Sequence, residues 1–301
     1  MSYQDAFRRV EQAEDYLIDI LQRMIAVDTS VPPGENYSEL IDLVEPEFQK
    51  SGFETTRVIA EHLIWLELAA MEPIVTVGAA GAIRLDVRGI GKSCHSGMNY
   101  LGINAVEEMV PILNELLELK RKAEVRLSRI PTFPVPGCPF DKMTPMFNLT
   151  IIGGGTKENI VPGECRLTIN RRYIVDERYE DVVAEIEEAV QKGRRQSKLE
   201  EVELKITHAY PPMECDPNLP AGQKARQART AVHGYEDYIF GGVSGSTDLG
   251  FVIDALRPRQ AQVAGFGLAR ASNLVAHAAD EFVYVEDLVS MTKELVHYVA
   301  F

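Results

Sequence analysis

Residues 146–175 read MFNLTIIGGGTKENIVPGECRLTINRRYIV. Two β-prone runs, MFNLTIIGG (146–154) and CRLTINRRYIV (165–175), flank the turn-forming GTKENIVPGE (155–164), which predicts two strands joined by a loop. Upstream, VTVGAAGAIRLDVRG (75–89) contains a strand, and INAVEEMVPILNELLELKRK (103–122) predicts a helix. The Pro- and Gly-rich PTFPVPGCPFD (131–141) is a loop. Downstream come a charged helix over about 177–195 and a strand, EVELKITHAY (201–210). The order from 82 to 210 is thus β-α-β-β-α-β. It predicts a ferredoxin-like unit with both helices on one face of an antiparallel sheet.

The flanks read differently. Residues 3–27 predict a helix, with Leu17, Ile20, Leu21 and Met24 on one face. TSVPPGEN (29–36) ends it, a second amphipathic helix is expected over 37–51, and FETTRVIA (53–60) predicts a strand. EHLIWLELAAMEP (61–73) is apolar without clear period and resists assignment. Residues 217–301 read helix, strand, helix, strand, helix, an α/β alternation. The expected organisation is an α/β domain built from 1–81 and 211–301, with the ferredoxin-like βαββαβ unit of residues 82–210 inserted between.

The chain has 301 residues with 31 Lys and Arg against 45 Asp and Glu, a net charge of −14. That field argues against nucleic-acid or anionic-membrane partners. No apolar stretch approaches the roughly 18 residues of a membrane span, and MSYQDAFRRVEQAEDYL has no apolar signal core. A cytoplasmic location is expected. Cys94, Cys138, Cys165 and Cys215 form no CxxC pair, which disfavours thiolate-metal and disulfide readings.

Several residues invite chemistry. His277 in NLVAHAADEFV and Glu72 before Pro73 are candidate metal ligands. His95 in GKSCHSG sits among small residues, where it is easily presented to a carbonyl as a hydrogen-bond donor. Asn159 and the pair Arg171-Arg172 are candidate substrate contacts; the two arginines face opposite ways on a strand, so one of them is available to a carboxylate. GGVSGSTDLG (241–250) resembles an anion cradle but lacks the nucleotide-binding glycine spacings, and GVSGS lacks the spacing of a serine-hydrolase elbow.

Taken in order, VDTSVPPGEN, MEP, GKSCHSGMNYLGINAVEEM, GGGTKENIVPGECRLTINRR, GGVSGSTDLG and AHAADEFVYVEDL resemble a known family. It is the dinuclear zinc amidohydrolases that include acetylornithine deacetylase, succinyl-diaminopimelate desuccinylase, aminoacylase and carboxypeptidase G. The resemblance implies an α/β zinc domain and a ferredoxin-like lid that forms a homodimer. It makes Glu72 a ligand of one zinc and His277 a ligand of the other, with cobalt or manganese as alternative metals. It makes His95 the lid histidine that polarises the scissile carbonyl, usually in the partner's active site. Asn159 and Arg171 match substrate-contacting lid residues, and Gly245, Ser246, Thr247 and Asp248 match a segment near the substrate carboxylate. The implied activity is hydrolysis of the amide of an N-acyl amino acid or small peptide.

The chain departs from the family between FETTRVIA and MEP. There the family carries a His-x-Asp motif, a bridging Asp and a Glu-Glu pair; here only residues 61–70 intervene. His62 is followed by Leu63 and Ile64, and Glu61 and Glu67 stand alone. A two-metal hydrolase needs a bridging carboxylate and a base for its water. The alternative expectation is therefore a catalytically inactive relative that acts as a binding or dimerisation module.

Overall fold

The computed structural model describes residues 3–26, 43, 46–47, 49–50, 62–65, 72–133, 137–256, 262–268, 270 and 282–301. The strand expected over 53–60, most of the helix expected over 37–51, and His277 lie outside these residues. The chain divides into two compact units. One comprises Met1–Ile74, Asp216–Tyr238 and Gln260–Phe301, the other Val75–Cys215 and Ile239–Arg259. Residues 239–256, expected with the α/β domain, thus fall in the second unit. Among the described residues no helix is long and apolar enough to cross a membrane.

The ferredoxin-like unit follows from residue alternation. Its main sheet contains β3 (Gly81–Ile90), β5 (Met146–Gly154), β7 (Glu164–Tyr173) and β8 (Glu201–Tyr210), in the order β5-β7-β3-β8, with every pairing antiparallel. Alternate residues of β7, Cys165, Leu167, Ile169, Arg171 and Tyr173, are buried. They belong to a core with Met109, Ile112 and Leu116 of α3 (Ala105–Ala123) and Val182, Ile186 and Val190 of α4 (Tyr179–Arg194). Each such aliphatic side chain contributes about 1.5–3 kcal/mol when taken from water. This is the βαββαβ unit expected from the sequence, with its helices on one face.

Two local devices hold that packing. The Asn104 side chain caps α3 by accepting the Val106 and Glu107 amides at 3.1 and 3.4 Å. Gly193 of α4 lies against α3 so closely that a Cβ there would stand 2.4 Å from the Ile112 Cα. Any side chain at 193 would wedge the two helices apart.

The run 75–89, expected to contain a strand, takes part in two, β2 (Ile74–Ala79) and β3, separated at Ala80. The break has a cause: the Ala80 amide leaves the ladder and donates to Val243 O and Gly245 O at 3.1 and 2.9 Å. β2 joins β9 (Met213–Glu214) and β10 (Ile239–Val243) in a three-stranded sheet, β10-β2-β9. A short ribbon pairs β4 (Cys94–His95) with β6 (Ile160–Val161).

In the other unit the single helix expected over 3–27 is two, α1 (Tyr3–Gln12) and α2 (Glu14–Ile25). Ala13 leaves helical geometry between them, at φ −100° and ψ 14°. The apolar run that resisted assignment contains β1 (His62–Trp65), which pairs in parallel with β11 (Gln262–Gly265). α5 (Pro220–His233) begins with proline, where no amide hydrogen bond is lost, and ends at Gly234 in the left-handed region (φ 73°). Ala221, Ala225 and Ala228 of α5 pack with Ala264, Phe266 and Tyr298, the last from α7 (Val285–Ala300). The architecture is mixed α/β with a ferredoxin-like unit.

Candidate functional site

The β4–β6 ribbon brings two sequence candidates together. His95 lies opposite Ile160, and the Ser96 amide donates to the Asn159 carbonyl at 3.0 Å. Both His95 and Asn159 are exposed. Gly155, at φ 79°, supplies the left-handed residue that starts this turn. The Gly97 amide donates to His95 Nδ1 at 3.1 Å. In the neutral ring the proton is then on Nε2, which makes His95 a hydrogen-bond donor at its outer edge.

The two arginines separate by strand parity. Arg171 is 1% exposed and faces the lid core, where Nη2 meets Glu177 at 2.6 Å and the guanidinium lies 6.0 Å from the Phe147 ring. The side chain, expected at a substrate, is packed in the interior of this unit. A signal for this exists in the sequence: Arg171 shares its parity with Leu167, Ile169 and Tyr173.

Arg172 points to the opposite face and is half-buried. Its Nε donates to Asn170 Oδ1 at 3.0 Å and its Nη1 to Ser246 Oγ at 2.6 Å. Other arginines of that face have carboxylate partners. Arg84 pairs with Asp86 at 3.0 Å, Arg88 with Glu164 at 2.7 Å and Glu203 at 3.1 Å, and Arg166 with Glu164. Arg172 has only neutral partners among the described residues, and burial pulls its pKa down. A half-buried guanidinium without a counter-charge is costly, and an incoming carboxylate relieves that cost through paired N–H donors.

The glycine-rich segment sits beside it. Gly245 is exposed and accepts the Ala80 amide through its carbonyl. Ser246 reaches Arg172. Thr247 is buried, and its Oγ1 accepts the Leu249 amide at 3.2 Å where α6 (Leu249–Leu256) begins.

These groups lie off opposite ends of the lid sheet. Arg172 is paired with Ala82 at one end of β3, and the Gly91 amide that follows Ile90 at the other end leads to the His95 ribbon. From Ala82 to Ile90 the strand spans roughly 26 Å at about 3.3 Å per residue. A small ligand on Arg172 cannot touch His95 of the same chain.

Glu72 belongs to the other unit. With His233, Tyr235, Arg270, Glu286, Asp287 and Ser290 it lines a cavity of about 390 Å³. Arg270 binds Asp287 through two hydrogen bonds of 2.7 Å, meets Glu286 at 2.7 Å, and lies 4.1 Å from the Tyr284 ring centre. His233 Nε2 is 2.6 Å from Glu294. Arg270 thus compensates both neighbouring acids, Glu286 and Asp287. Among the described residues no group of three or more His, Cys, Asp or Glu side chains is placed to hold a metal ion. Glu72 alone does not make a zinc site, which takes three or four protein ligands. The described residues therefore do not fit the two-zinc centre that the resemblance implies.

Residues 77–198 match the peptidase dimerisation domain family. A probable carboxypeptidase of Ajellomyces capsulatus is 26% identical over 250 residues, which are 82% of this chain and 50% of that protein. An acetylornithine deacetylase of Vibrio atlanticus is 37% identical over 90 residues, 30% of this chain and 22% of that one. An M20 family metallo-carboxypeptidase from Sulfolobus solfataricus shares the fold, with a TM-score of 0.61 at 15% identity over 86% of this chain and 66% of that one. The chain spans about half the length, or less, of the curated relatives it matches.

Proposed function

We propose, from the premise that residues 77–198 are an M20-type peptidase dimerisation domain in a chain related to carboxypeptidases and deacetylases, that this protein is an amide hydrolase working as a homodimer. Its substrates are N-acyl amino acids or small peptides with a free carboxylate. The observation that carries the reading is Arg172, a half-buried guanidinium whose hydrogen-bond partners among the described residues are neutral. It grips the substrate carboxylate. His95 Nε2–H donates to the scissile carbonyl oxygen as charge develops there, with Asn159 beside it. Because His95 and Arg172 lie off opposite ends of one sheet, one small substrate meets Arg172 of one subunit and the partner subunit's His95.

The dimer forms through the lid. β5 is an edge strand, and Ile151 and Ile152 on it are 62% and 59% exposed. Val106 and Val110 of α3 are exposed too. An open apolar edge of this kind is a template for a second copy.

Zinc is the cofactor this reading expects, with His277 as a ligand beside Glu72. The described residues do not fit that centre, and no step is assigned to it. This same observation favours a second reading, in which the protein binds carboxylate ligands as a dimer without hydrolysis. The test is hydrolysis of N-acetylornithine, N-succinyl-diaminopimelate and dipeptides by the full chain, with metal content measured alongside. Hydrolysis that falls about a hundredfold or more on chelation, and returns with zinc, supports the first reading. A metal-free dimer that binds these compounds intact supports the second and overturns the first.

A further inference from the structure

We propose that Ser246 is a positioning residue for Arg172, holding the guanidinium so that Nη2 faces a ligand carboxylate; this rests on the carboxylate-binding reading given above. Ser246 Oγ carries one proton and gives it to the Ala80 carbonyl at 2.6 Å. Its lone pair takes the Arg172 Nη1 proton, also at 2.6 Å. A hydroxyl can serve both roles at once, whereas a methyl group serves neither.

Ala80 is a firm anchor for this relay. It is fully buried, and its own amide donates to Val243 O and Gly245 O. Both backbone groups of Ala80 thus clamp the loop that carries Ser246. Two residues on, Ala82 is the ladder partner of Arg172. Loop, hydroxyl and guanidinium are parts of one hydrogen-bonded lattice. Asn170 Oδ1 takes the Nε proton. Nη2 makes no hydrogen bond among the described residues and is not enclosed.

The relay is also neutral. It orients Arg172 without cancelling its charge, so the charge remains for a ligand. An acidic residue at 246 would do the opposite and close the site by pairing with the guanidinium.

The experiment uses the full chain with N-acetylglycine as the carboxylate probe, titrated by NMR while the arginine Nε–H signals are followed. Ser246→Ala should weaken binding about tenfold, the effect of one lost hydrogen bond to a charged group. It should also broaden the Arg172 Nε–H signal, as the side chain loses its fixed orientation. Ser246→Thr keeps the hydroxyl and should bind within about twofold of the parent. Ser246→Ala that binds like the parent, with an unchanged Arg172 signal, overturns the proposal. A parent chain that fails to bind, while its Arg172 signal is sharp and broadens in Ser246→Ala, upholds the relay and overturns the carboxylate reading.

Discussion

Arg229→Met is expected to destabilise the unit built on α5 and α7 by about 3–5 kcal/mol, the cost of stripping one partner from a buried charge. Arg229 and Glu294 are 2% and 1% exposed. The guanidinium donates to the carbonyls of Glu72 and Ile74 at 2.5 and 2.6 Å, and Nε lies 3.8 Å from Glu294. It also sits 5.8 Å from the Tyr238 ring centre. Methionine fills much of the same volume, so packing changes little. What is lost is the charge facing Glu294 and the donors that fasten the Glu72 turn to α5. Glu294 keeps its contact with His233 at 2.6 Å, so part of its surroundings survives. Adding Glu294→Leu should recover most of the loss, because two apolar groups then replace a broken charged network. Urea unfolding of the single and double variants measures both quantities. A single-variant loss below about 1 kcal/mol would show that the clamp is not what orders this region.

Arg171→Met should cost the lid a comparable amount, about 3–5 kcal/mol, with little direct effect on ligand binding. The Glu177 carboxylate accepts from Arg171, from Arg126 at 2.8 Å, and from the Ile174 amide at 3.0 Å. Removing Arg171 leaves Arg126 in place, so the lower part of the range is expected. Arg171 also fills the space beside Phe147. The outcome separates two roles for one residue. A substrate-gripping arginine, when truncated, leaves stability nearly unchanged and weakens binding of carboxylates. A core arginine does the reverse. Thermal unfolding and N-acetylglycine titration of the same sample distinguish them, and Arg172→Met is the contrasting variant.

The lid is legible in the sequence because its signals agree. Leu167, Ile169 and Tyr173 alternate, Asn104 announces a helix start, and glycines and prolines mark the turns. The break at Ala80 is not legible, since it depends on the 243–245 carbonyls far along the chain. The run 61–70 conceals β1 for a different reason. A short parallel strand reads as a continuous apolar run, and periodicity cannot tell it from a buried helix. The helix break at Ala13 carries no glycine or proline, so no local residue type reports it.

The candidate site is legible only in part. Motif order points to His95 and Asn159, and the β4–β6 ribbon places them side by side. Strand alternation shows that Arg171 and Arg172 diverge; parity with the apolar residues settles that Arg171 goes inward. Among the described residues Arg172 donates to Asn170 and Ser246 and to no carboxylate, a pattern visible only in three dimensions. Glu72 lines a cavity whose other acids, Glu286 and Asp287, are taken up by Arg270. Nothing in the spacing of those residues announces this compensation.

The central claim is a shared site, with Arg172 from one subunit and His95 from its partner. Mixing two inactive variants tests it most directly. Arg172→Ala and His95→Ala, each purified alone, should hydrolyse N-acyl amino acids poorly in the presence of zinc. Unfolded together and refolded as a mixture, they should regain about a quarter of the parent activity, because half of the randomly paired dimers carry one intact site of two. A mixture that stays as inactive as its components, from a parent chain that does hydrolyse the substrate, would contradict the shared site.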